Sequence, residues 1–430
     1  MVKPKKKVAV IGLWHLGCTV AVSLASKGYK VFGIDFESKA IGELNRGILP
    51  LFEPGLEELT KRQLRKGNLS FTNDFKNIKK CDYVVIAYDT PVDNKDRPDL
   101  NIVLKAFGRI KKFIKQDGLL IVMSQVPAGT CRKFYQTLQK SKKKAEVAYN
   151  PENVRLGNAI STYLDADRQI IGLSSAKTKS LIKKFYSFYK KPLLFMSLES
   201  AELVKHSINA FLATSVSFIN QIADLSEKLR ADISEVVKGL KSDSRIGKKA
   251  FLSPGLGFAG GTLGRDLKVL NLLASKYGVA LPLIKDVYTI NQNRKRALYN
   301  KIFAIYPRLK GKKAAIFGLV YKPGTSTLRR SLALEIAQDL IKQGATVSAF
   351  DPALKEGKQD LKGIKLENSP YTAAKNADFL VIVTEWPEFK FIDYKKLGKR
   401  MRQRVVFDTK NILGKQKLLK LKFDYHGTGI

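Results

Sequence analysis

A chain of 430 residues is longer than one ordinary hydrophobic core supports, so two or three domains are expected. Hydrophobic residues make up 44% and aromatic residues 10%, which excludes a disordered protein, and no apolar run reaches the ~18 residues of a membrane-spanning helix. The three cysteines, Cys18, Cys81 and Cys131, have neither metal nor disulfide spacing, so they predict a reducing, cytoplasmic location and no metal site.

The net charge of +39 is the outlier in the composition. Lysine and arginine occur along the whole chain, and a basic surface attracts anions such as phosphorylated metabolites, nucleic acid or acidic lipid. The alternative is a general lysine bias of the coding sequence that serves no partner. No recognisable nucleic-acid-binding motif accompanies the charge.

The N-terminal residues have the pattern of a dinucleotide-binding βαβ unit. A buried strand at 7–11 enters a turn bounded by Gly12 and Gly17, and a helix and a second strand then lead to Asp35. Gly12 makes the turn, Gly17 lets helix and strand pack, and Asp35 holds the ribose hydroxyls, which favours NAD over NADP. Trp14 stands where the motif expects another glycine, so an α/β domain without a nucleotide is the alternative. The residues predicted here to bind the cofactor are Gly12, Leu13, Trp14, His15, Leu16, Gly17 and Asp35.

Three further apolar runs fit the same sheet, and each ends in polar or turn residues. The run at 81–87 leads to Thr90, the run at 119–123 leads to Ser124 and Gln125, and a third leads to Asn150-Pro151-Glu152. Open α/β sheets bind ligands at these carboxyl ends of their strands. Glu152 either orients a water or a substrate hydroxyl, or caps the next helix.

The middle of the chain contains one long helical pattern, from about Leu198 to Leu229, without proline or glycine. Lys205 and Asn209 are four residues apart and therefore share a face of it. Such a pair can bind an oxyanion or polarise a reacting oxygen. The alternative is a snorkelling lysine beside a solvated asparagine. His206 alone is interpreted as structural.

A glycine-rich loop follows, with four glycines between Gly255 and Gly261. Glycine tolerates positive φ and allows a bound molecule to approach the backbone closely. Thr262, Arg265 and Asp266 come directly after it, so a hydroxyl, a fixed cation and a carboxylate lie beside the loop. The alternative is an ordinary glycine-rich surface loop.

The last third restarts an α/β pattern at about Lys312, with further strands at 346–350, 379–383 and 405–407. The chain is therefore predicted to fold as two open α/β domains bridged by a helical segment, with a ligand cleft where they meet. We place the domains at residues 1–195, 196–300 and 301–430.

Motifs along nearly the whole chain resemble those of the UDP-glucose/GDP-mannose dehydrogenases, a family of nucleotide-sugar dehydrogenases. The resemblance rests on the following stretches: 44–47, 53–56, 90–91, 126–130, 150–152, 167–168, 201–205, 209–213, 245–247, the glycine loop, 321–323, Arg329, 351–352 and 384–386. It implies two Rossmann-like open parallel-sheet domains joined by a long central helix and helical domain. It also implies oxidation of a sugar's primary alcohol to the carboxylate with two hydride transfers to NAD, with UDP-glucose the default substrate and a homodimer the default assembly.

The resemblance also assigns roles to individual residues. The residues implied to be catalytic are Lys205, Asn209, Asp266, Glu152 and Thr262. The further residues implied to contact the cofactor are Thr90 and Arg329. The residues implied to hold the substrate are Arg245, Phe258, Ala259, Gly260, Gly261 and Lys322.

The sequence departs from the family pattern at the catalytic positions. Thr262 occupies the place of the nucleophilic cysteine, and a hydroxyl is a much poorer nucleophile than a thiolate near neutral pH. Further departures are Arg265 for lysine, Ala259 for glycine, Gln125 for threonine and Leu156 for a second glutamate. Three hypotheses follow: full oxidation to a uronate without the thiol, a two-electron enzyme that stops at an aldehyde or ketone, and a binding protein that has lost catalysis. The joint presence of Asp35, Lys205, Asn209 and Asp266 favours a dehydrogenase.

Overall fold

The computed structural model describes residues 6–90, 93, 98–141, 143–151, 154–259, 261–355 and 361–430. The chain divides into two compact units, Met1–Ile208 and Asn209–Ile430, which are described separately below.

The first unit is built on an eight-stranded sheet of order β3-β2-β1-β4-β5-β6-β7-β8. Neighbouring strands are parallel, except that β6 and β7 pair antiparallel. The strands are β1 Lys7–Ile11, β2 Lys30–Ile34, β3 Leu69–Thr72, β4 Tyr83–Ile86, β5 Leu119–Val122, β6 Glu146–Tyr149, β7 Gln169–Leu173 and β8 Leu193–Ser197.

Helices cover both faces of this sheet, because its central strands are apolar on both sides. In β1, Val8 and Val10 face one hydrophobic cluster, whereas Ala9 and Ile11 face the other. A strand buried on both faces is typical of a doubly wound fold. The helices of this unit are α1 His15–Ser26, α2 Ser38–Asn45, α3 Leu56–Arg65, α4 Asn101–Ile110, α5 Thr130–Gln139, α6 Ala159–Leu164 and α7 Ala176–Phe185, with a 3₁₀ helix at Phe75–Lys80.

The longest helix, α8, runs from Leu198 to Leu229. In the first unit its Glu202 is fully buried and accepts hydrogen bonds from the backbone N–H groups of Gly129 (2.6 Å) and Cys131 (2.8 Å). These groups lie at the start of α5, where an anionic side chain is favoured by the helix dipole. Glu202 therefore fixes the loop that follows β5.

The second unit contains a helical part followed by a six-stranded sheet of order β11-β10-β9-β12-β13-β14, parallel throughout. Its helices after α8 are α9 Ile233–Ser242, α10 Leu263–Lys276, α11 Pro282–Asn293, α12 Lys295–Ile305, α13 Leu332–Lys342, α14 Pro370–Ala373, α15 Tyr394–Gly398 and α16 Lys415–Lys420, with a 3₁₀ helix at Pro387–Phe391. Its strands are β9 Lys313–Phe317, β10 Thr346–Phe350, β11 Ile364–Leu366, β12 Phe379–Ile382, β13 Val405–Asp408 and β14 Asp424–Gly427.

The structure confirms the predicted fold class, with two Rossmann-like sheets and a long central helix. The helix at Leu198–Leu229 and the strands at Lys7–Ile11 and Thr346–Phe350 lie where the sequence pattern indicates. The antiparallel pairing of β6 with β7 was not predicted. The domain limits at 195/196 and 300/301 stay a prediction.

None of the helices in the described part of the chain combines the length and the apolar character that crossing a lipid bilayer requires.

The buried carboxyl group of Glu202 provides a test of the packing in the first unit. Burial raises its pKa, against the opposing effect of the Cys131 and Gly129 N–H groups. A raised acid pKa means that the folded state binds the proton more tightly, so this group's stabilising contribution is present at low pH and is lost as pH rises through its folded pKa. Glu202→Gln removes that loss, and its midpoint of urea unfolding should rise relative to the wild type as pH increases from 4 to 7.

Glu199, on the same helix, supplies the control, because Arg132 lowers its pKa. Glu199→Gln should change the pH dependence slightly in the opposite direction. Equal slopes for wild type and Glu202→Gln would contradict the assignment.

Candidate active site

The turn between β1 and α1 requires glycine at both of its ends. Gly12 has φ +94°, and a Cβ atom there would lie 2.7 Å from the Tyr88 ring. A Cβ atom on Gly17 would lie 1.6 Å from the carbonyl oxygen of Gly12. No side chain fits at either position, so the first and last glycines of the predicted cofactor turn are imposed by the geometry.

Trp14, by contrast, has a backbone conformation that does not require glycine. Its φ of −94° and ψ of −155° are extended backbone angles that any residue adopts. Its side chain is 47% exposed and lies at the first turn of α1. The departure from the glycine motif therefore leaves the backbone of the turn intact and adds an exposed indole beside it.

Asp35 lies at the carboxyl end of β2 and faces this turn. Its carboxylate accepts hydrogen bonds from Leu13 N–H (2.7 Å) and Phe36 N–H (2.6 Å). The acid is half-buried at the mouth of the turn, where the ribose of a dinucleotide is held in this fold. Gly12, Gly17 and Asp35 thus fit NAD.

His15 and Leu16 bring two acidic side chains to the start of α1. His15 Nε2 lies 3.0 Å from Glu53 Oε2, and the buried Glu53 also accepts from the N–H groups of Gly157 (3.0 Å) and Ala159 (2.8 Å). Leu16 N–H donates to Asp89 Oδ2 at 3.3 Å. Glu53 therefore connects the cofactor turn to the segment after β6. The stretch 53–56 is one of the motifs on which the family resemblance rests, but the sequence did not indicate this contact.

Thr90 lies at the same edge of the sheet and is buried. Its hydroxyl donates to the carbonyl oxygen of Gln125 (2.8 Å), so it joins the loops after β4 and β5. Its contact with the cofactor stays a prediction. Glu152 lies outside the described residues.

Lys205 and His206 lie on the part of α8 that belongs to the first unit, and both are buried. The expectation that His206 is structural agrees with its contacts: Nε2 lies 3.0 Å from the Val126 carbonyl oxygen, and Nδ1 lies 3.4 Å from Gln125 Nε2. Donation from Nε2 to the carbonyl leaves Nδ1 to accept from the amide. Lys205 is only 7% exposed, so it is not the snorkelling, solvated side chain of the alternative interpretation.

In the second unit the structure brings Asn209 and Asp266 together. Asn209 Nδ2 donates to Asp266 Oδ2, and Arg265 Nε lies 3.4 Å from Asp266 Oδ1. Asp266 is fully buried, and Asn209 and Arg265 are nearly so. Thr262 is exposed at the N-cap of α10, one turn before Asp266, and its side chain does not cap the helix.

Three side chains that sequence reasoning missed hold the glycine loop from outside it. Gly255 N–H donates to Asn220 Oδ1 (2.7 Å), and Arg294 Nε donates to the Gly255 carbonyl oxygen (2.7 Å). Asn291 accepts from Phe258 N–H (2.8 Å) through Oδ1 and donates to the Phe258 carbonyl oxygen (2.9 Å) through Nδ2. Because these contacts are to backbone atoms, the loop is held in place rather than free at the surface.

A cavity of about 300 Å³ lies between the glycine loop and the carboxyl edge of the second sheet. Its walls follow β9, β12 and β13, and β9 and β12 are the neighbours at which the strand order reverses, the usual ligand position in such sheets. Lys322 and Lys410 contribute positive charge, and Glu385 lies 3.5 Å from the Lys410 ammonium. The residues that line it are Val216, Phe251, Ser253, Leu256, Gly257, Phe258, Ala259, Leu263, Val320, Tyr321, Lys322, Leu332, Ala333, Val383, Thr384, Glu385 and Lys410.

Of the residues predicted to bind substrate, Phe258, Ala259 and Lys322 line this cavity. Gly261 is half-buried in the loop, and Gly260 lies outside the described residues. Arg245 is not among the lining residues: its side chain is 87% exposed and pairs with Asp243 (Nη2 to Oδ2, 2.7 Å). Arg329, predicted to contact the cofactor, is exposed in the loop before α13.

The second sheet has an aspartate, Asp351, at the position that corresponds to Asp35 in the first sheet, but Asp351 is buried. Asp351 follows β10 and accepts hydrogen bonds from Leu319 N–H (2.7 Å) and Val320 N–H (3.0 Å), as Asp35 accepts from Leu13. Asp351 is 1% exposed, and the Trp386 Nε1 atom lies 3.3 Å from it. This acid is thus sealed inside the protein and cannot reach a ribose.

The three thiols offer no substitute for a catalytic cysteine. Cys18, Cys81 and Cys131 are all buried in the first unit. Burial raises the pKa of each thiol, to about 12 for Cys81, and carboxylates such as Asp35 and Glu202 raise those of Cys18 and Cys131 further. None is a thiolate near neutral pH.

Asn291 holds the backbone of the glycine loop through two hydrogen bonds to Phe258, so Asn291→Ala is expected to have a local effect. The variant loses both hydrogen bonds to Phe258, and each contributes about 1 kcal/mol. Amide hydrogen exchange at residues 255–262 should accelerate roughly tenfold while exchange in β9 stays unchanged. Asn293→Ala, an exposed amide at the end of the same helix, is the matched control. Unaltered exchange in the Asn291→Ala loop would mean that this asparagine does not hold it.

Comparison with known proteins identifies the family to which this chain is similar. The UDP-glucose/GDP-mannose dehydrogenase family matches in three parts: its NAD binding domain over residues 6–190, its central domain over 199–293 and its UDP binding domain over 315–415. The UDP-glucose 6-dehydrogenase TuaD of Bacillus subtilis (strain 168) is 33% identical over 430 residues, which cover 99% of this chain and 93% of that protein.

Solved structures agree with the sequence match. A UDP-glucose dehydrogenase from the hyperthermophilic archaeon Pyrobaculum islandicum superposes with a TM-score of 0.90 at 28% identity, covering 100% of this chain and 98% of that one. A UDP-D-ManNAc dehydrogenase from Pyrococcus horikoshii gives a TM-score of 0.86 at 27% identity, covering 98% and 99%. With its cofactor turn formed for NAD and its second sheet matching a UDP binding domain, the chain belongs to the UDP-glucose/GDP-mannose dehydrogenase family of NAD-dependent nucleotide-sugar dehydrogenases.

Proposed function

We propose that this protein oxidises the sugar of a UDP-sugar with NAD, with UDP-glucose as the default substrate. The cavity at the second sheet carries the proposal, because Lys322 and Lys410 supply two cations at the position where this fold binds ligands. Glu385 lies 3.5 Å from Lys410, so these three side chains leave a net positive charge, which favours an anionic ligand such as a diphosphate. The names of TuaD and of the Pyrobaculum protein favour UDP-glucose, and that of the Pyrococcus protein keeps an N-acetylhexosamine open.

In this proposal, individual residues have the following roles in cofactor binding and catalysis. Gly12, Gly17 and Asp35 position the cofactor, which supplies a hydride acceptor when bound. Lys205 and Asn209 hold the reacting oxygen of the sugar as negative charge develops on it. Asp266, buried and hydrogen-bonded to Asn209, keeps that amide oriented and takes part in moving the proton.

The buried set formed by Asn209, Arg265 and Asp266 argues against a protein that only binds. Burying a carboxylate is costly unless it is paired and hydrogen-bonded, and a pure binder gains nothing from such an arrangement at the side of its loop. We therefore favour a dehydrogenase over a non-catalytic homologue.

A second candidate, an enzyme that stops after two electrons at the aldehyde or ketone, is favoured by three departures from the family pattern: Thr262, Leu156 and Gln125. Full oxidation to the uronate needs a nucleophile, or water, to add to the aldehyde before the second hydride leaves. Thr262 is exposed at a helix N-cap, Leu156 cannot activate water, and the Gln125 side chain faces His206. If this chain carries out full oxidation, the second hydride must leave from the aldehyde hydrate or from a hemiacetal with the Thr262 hydroxyl.

NADH formed per sugar consumed distinguishes these candidates. UDP-glucose, GDP-mannose and UDP-N-acetylhexosamines are offered in turn, and absorbance of NADH is compared with the products resolved by mass spectrometry. Two NADH per sugar with a uronate product mean full oxidation, and one NADH with an aldehyde or ketone means a two-electron enzyme. NAD binding without turnover of any sugar would overturn the proposal.

Two substitutions at Thr262 then identify the group that adds to the aldehyde. Thr262→Ala leaves turnover unchanged if the threonine is only a spacer, and lowers it at least tenfold if its hydroxyl adds to the aldehyde. Thr262→Cys should add uronate formation only when the starting enzyme stops at two electrons. A uronate already made by the Thr262→Ala variant would identify water as the nucleophile.

We also propose that the protein is a homodimer that associates through α8. Four large apolar side chains recur along one stripe of this helix in the second unit: Phe211 (71% exposed), Phe218 (46%), Leu225 (53%) and Leu229 (68%). Their spacing of seven, seven and four residues places them on one face. A contiguous exposed apolar stripe is a typical interaction surface.

Phe211→Asp should therefore convert a dimer into a monomer by light scattering after size exclusion. Phe391→Asp is the matched control, since Phe391 is 85% exposed but lies on the 3₁₀ helix of the second unit. A wild-type monomer, or a variant that remains dimeric, would refute this interface.

A cytoplasmic location is proposed on the three unpaired cysteines and on the nucleotide substrates. Fractionation of the source cells that recovered the protein outside the cytoplasm would contradict it.

A further inference from the structure

The lysines of the first unit are concentrated at one edge of its sheet. In a parallel sheet, connections that lead from a helix into a strand lie at the amino edge, opposite the cofactor turn. The connections that enter β1 to β6, together with the first residues of these strands and the end of the 3₁₀ helix, carry thirteen lysines in the described residues: Lys6, Lys7, Lys27, Lys30, Lys66, Lys79, Lys80, Lys111, Lys112, Lys115, Lys140, Lys143 and Lys144. We call this set the lysine edge.

Individual contacts show that these side chains are close together. Lys79 and Lys112 both lie over the Phe113 ring, at 6.0 and 5.1 Å from its centre, and Lys143 Nζ donates to the Lys112 carbonyl oxygen at 2.5 Å. Burial and the charge of Lys79 lower the pKa of Lys143. Repulsion between neighbouring ammonium groups is therefore built into the surface.

Negative charge compensates only part of the lysine edge. Asp82 pairs with Lys115 (2.6 Å), and Asp117 pairs with Lys177 (2.5 Å), which comes from α7. Glu146, the first residue of β6, is buried. The edge therefore has a large positive excess.

The opposite edge of the same sheet has the opposite charge. In the described part of the connections that leave β1 to β6, up to the start of the next helix, the acidic residues are Asp35, Glu37, Asp74, Asp89, Asp93 and Asp99, and the basic residue is Arg155. A general lysine bias would enrich both edges alike. Helix dipoles favour bases at helix ends but affect only the last turn, and Lys6, Lys7, Lys79 and Lys80 do not follow an α-helix.

We infer that the lysine edge is a docking surface for an anionic lipid membrane. The edge spans six strands, roughly 24 Å, which suits a broad charged plane rather than a pocket. Lysine is the basic residue of these connections among the described positions, with Arg65 at the end of α3 beside Lys66, and an ammonium binds phosphate as a point charge rather than as the planar fork that reads bases bidentately. Phe113, in the connection that enters β5, is partly buried against the core and has Lys79 and Lys112 over its ring, so a base that stacked there would have to displace these lysines.

A membrane requires only delocalised positive charge within a Debye length of its headgroups, and each lysine adds to the attraction. The cofactor turn lies at the other edge of the sheet. Docking therefore holds the enzyme at the surface without covering its NAD site.

The test uses the full chain and vesicles of phosphatidylcholine with and without phosphatidylglycerol, at physiological ionic strength. The docking variant neutralises four exposed lysines of the edge: Lys79→Gln, Lys111→Gln, Lys112→Gln and Lys140→Gln. The control variant lowers the net charge equally on the second unit: Lys355→Gln, Lys390→Gln, Lys395→Gln and Lys417→Gln. Circular dichroism and NADH binding verify that both variants are folded.

We expect sedimentation with phosphatidylglycerol vesicles only, weakened roughly tenfold or more in the docking variant and within about twofold of the wild type in the control. Equal weakening in both variants would overturn the proposal, because net charge rather than this edge would then be responsible. Absence of vesicle binding would overturn it as well. If the protein binds duplex DNA or single-stranded RNA instead, and the docking variant loses that binding, the edge is a nucleic-acid surface and the membrane assignment is wrong.

Discussion

The parallel arrangement of the strands is the constraint on which the other features of each unit depend. When neighbouring strands run in the same direction, every loop that leaves a strand lies at one edge and every loop that enters a strand lies at the other. In the first unit this brings Gly12, Asp35, Asp89 and Thr90 to one edge, although they are up to 78 residues apart in the chain. In the second unit it places Lys322, Glu385 and Lys410 around one cavity. The same rule separates charges of opposite sign within the first sheet.

The parts of the site that follow a periodic or short motif were predictable from the sequence. Gly12, Gly17 and Asp35 occupy positions where the backbone geometry admits few alternatives, so residue type alone indicates their roles. The helix at Leu198–Leu229 was predicted because it lacks proline and glycine. Asn209 and Asp266 were each predicted to be catalytic, but the hydrogen bond between them was not predicted.

Other parts depend on contacts between distant segments and left no signal in the sequence. Asn291 reaches Phe258 across 33 residues through two backbone contacts, and a single asparagine at the end of a helix is unremarkable in a sequence. The antiparallel pairing of β6 and β7 likewise depends on the path of the chain between them. Trp14 was a departure that the sequence showed but did not explain, because only its φ and ψ reveal that the backbone of the turn does not require glycine there.

The environments of the two tryptophans have a spectroscopic consequence. The chain has two of them, and each unit contains one. Trp14 is half-exposed beside the cofactor turn, whereas Trp386 is 8% exposed and its indole N–H points at Asp351. A water-exposed indole emits at longer wavelength than a buried one, so the long- and short-wavelength parts of the intrinsic fluorescence report on different sheets. The protein thus carries one native optical probe in each Rossmann-like unit, without any label.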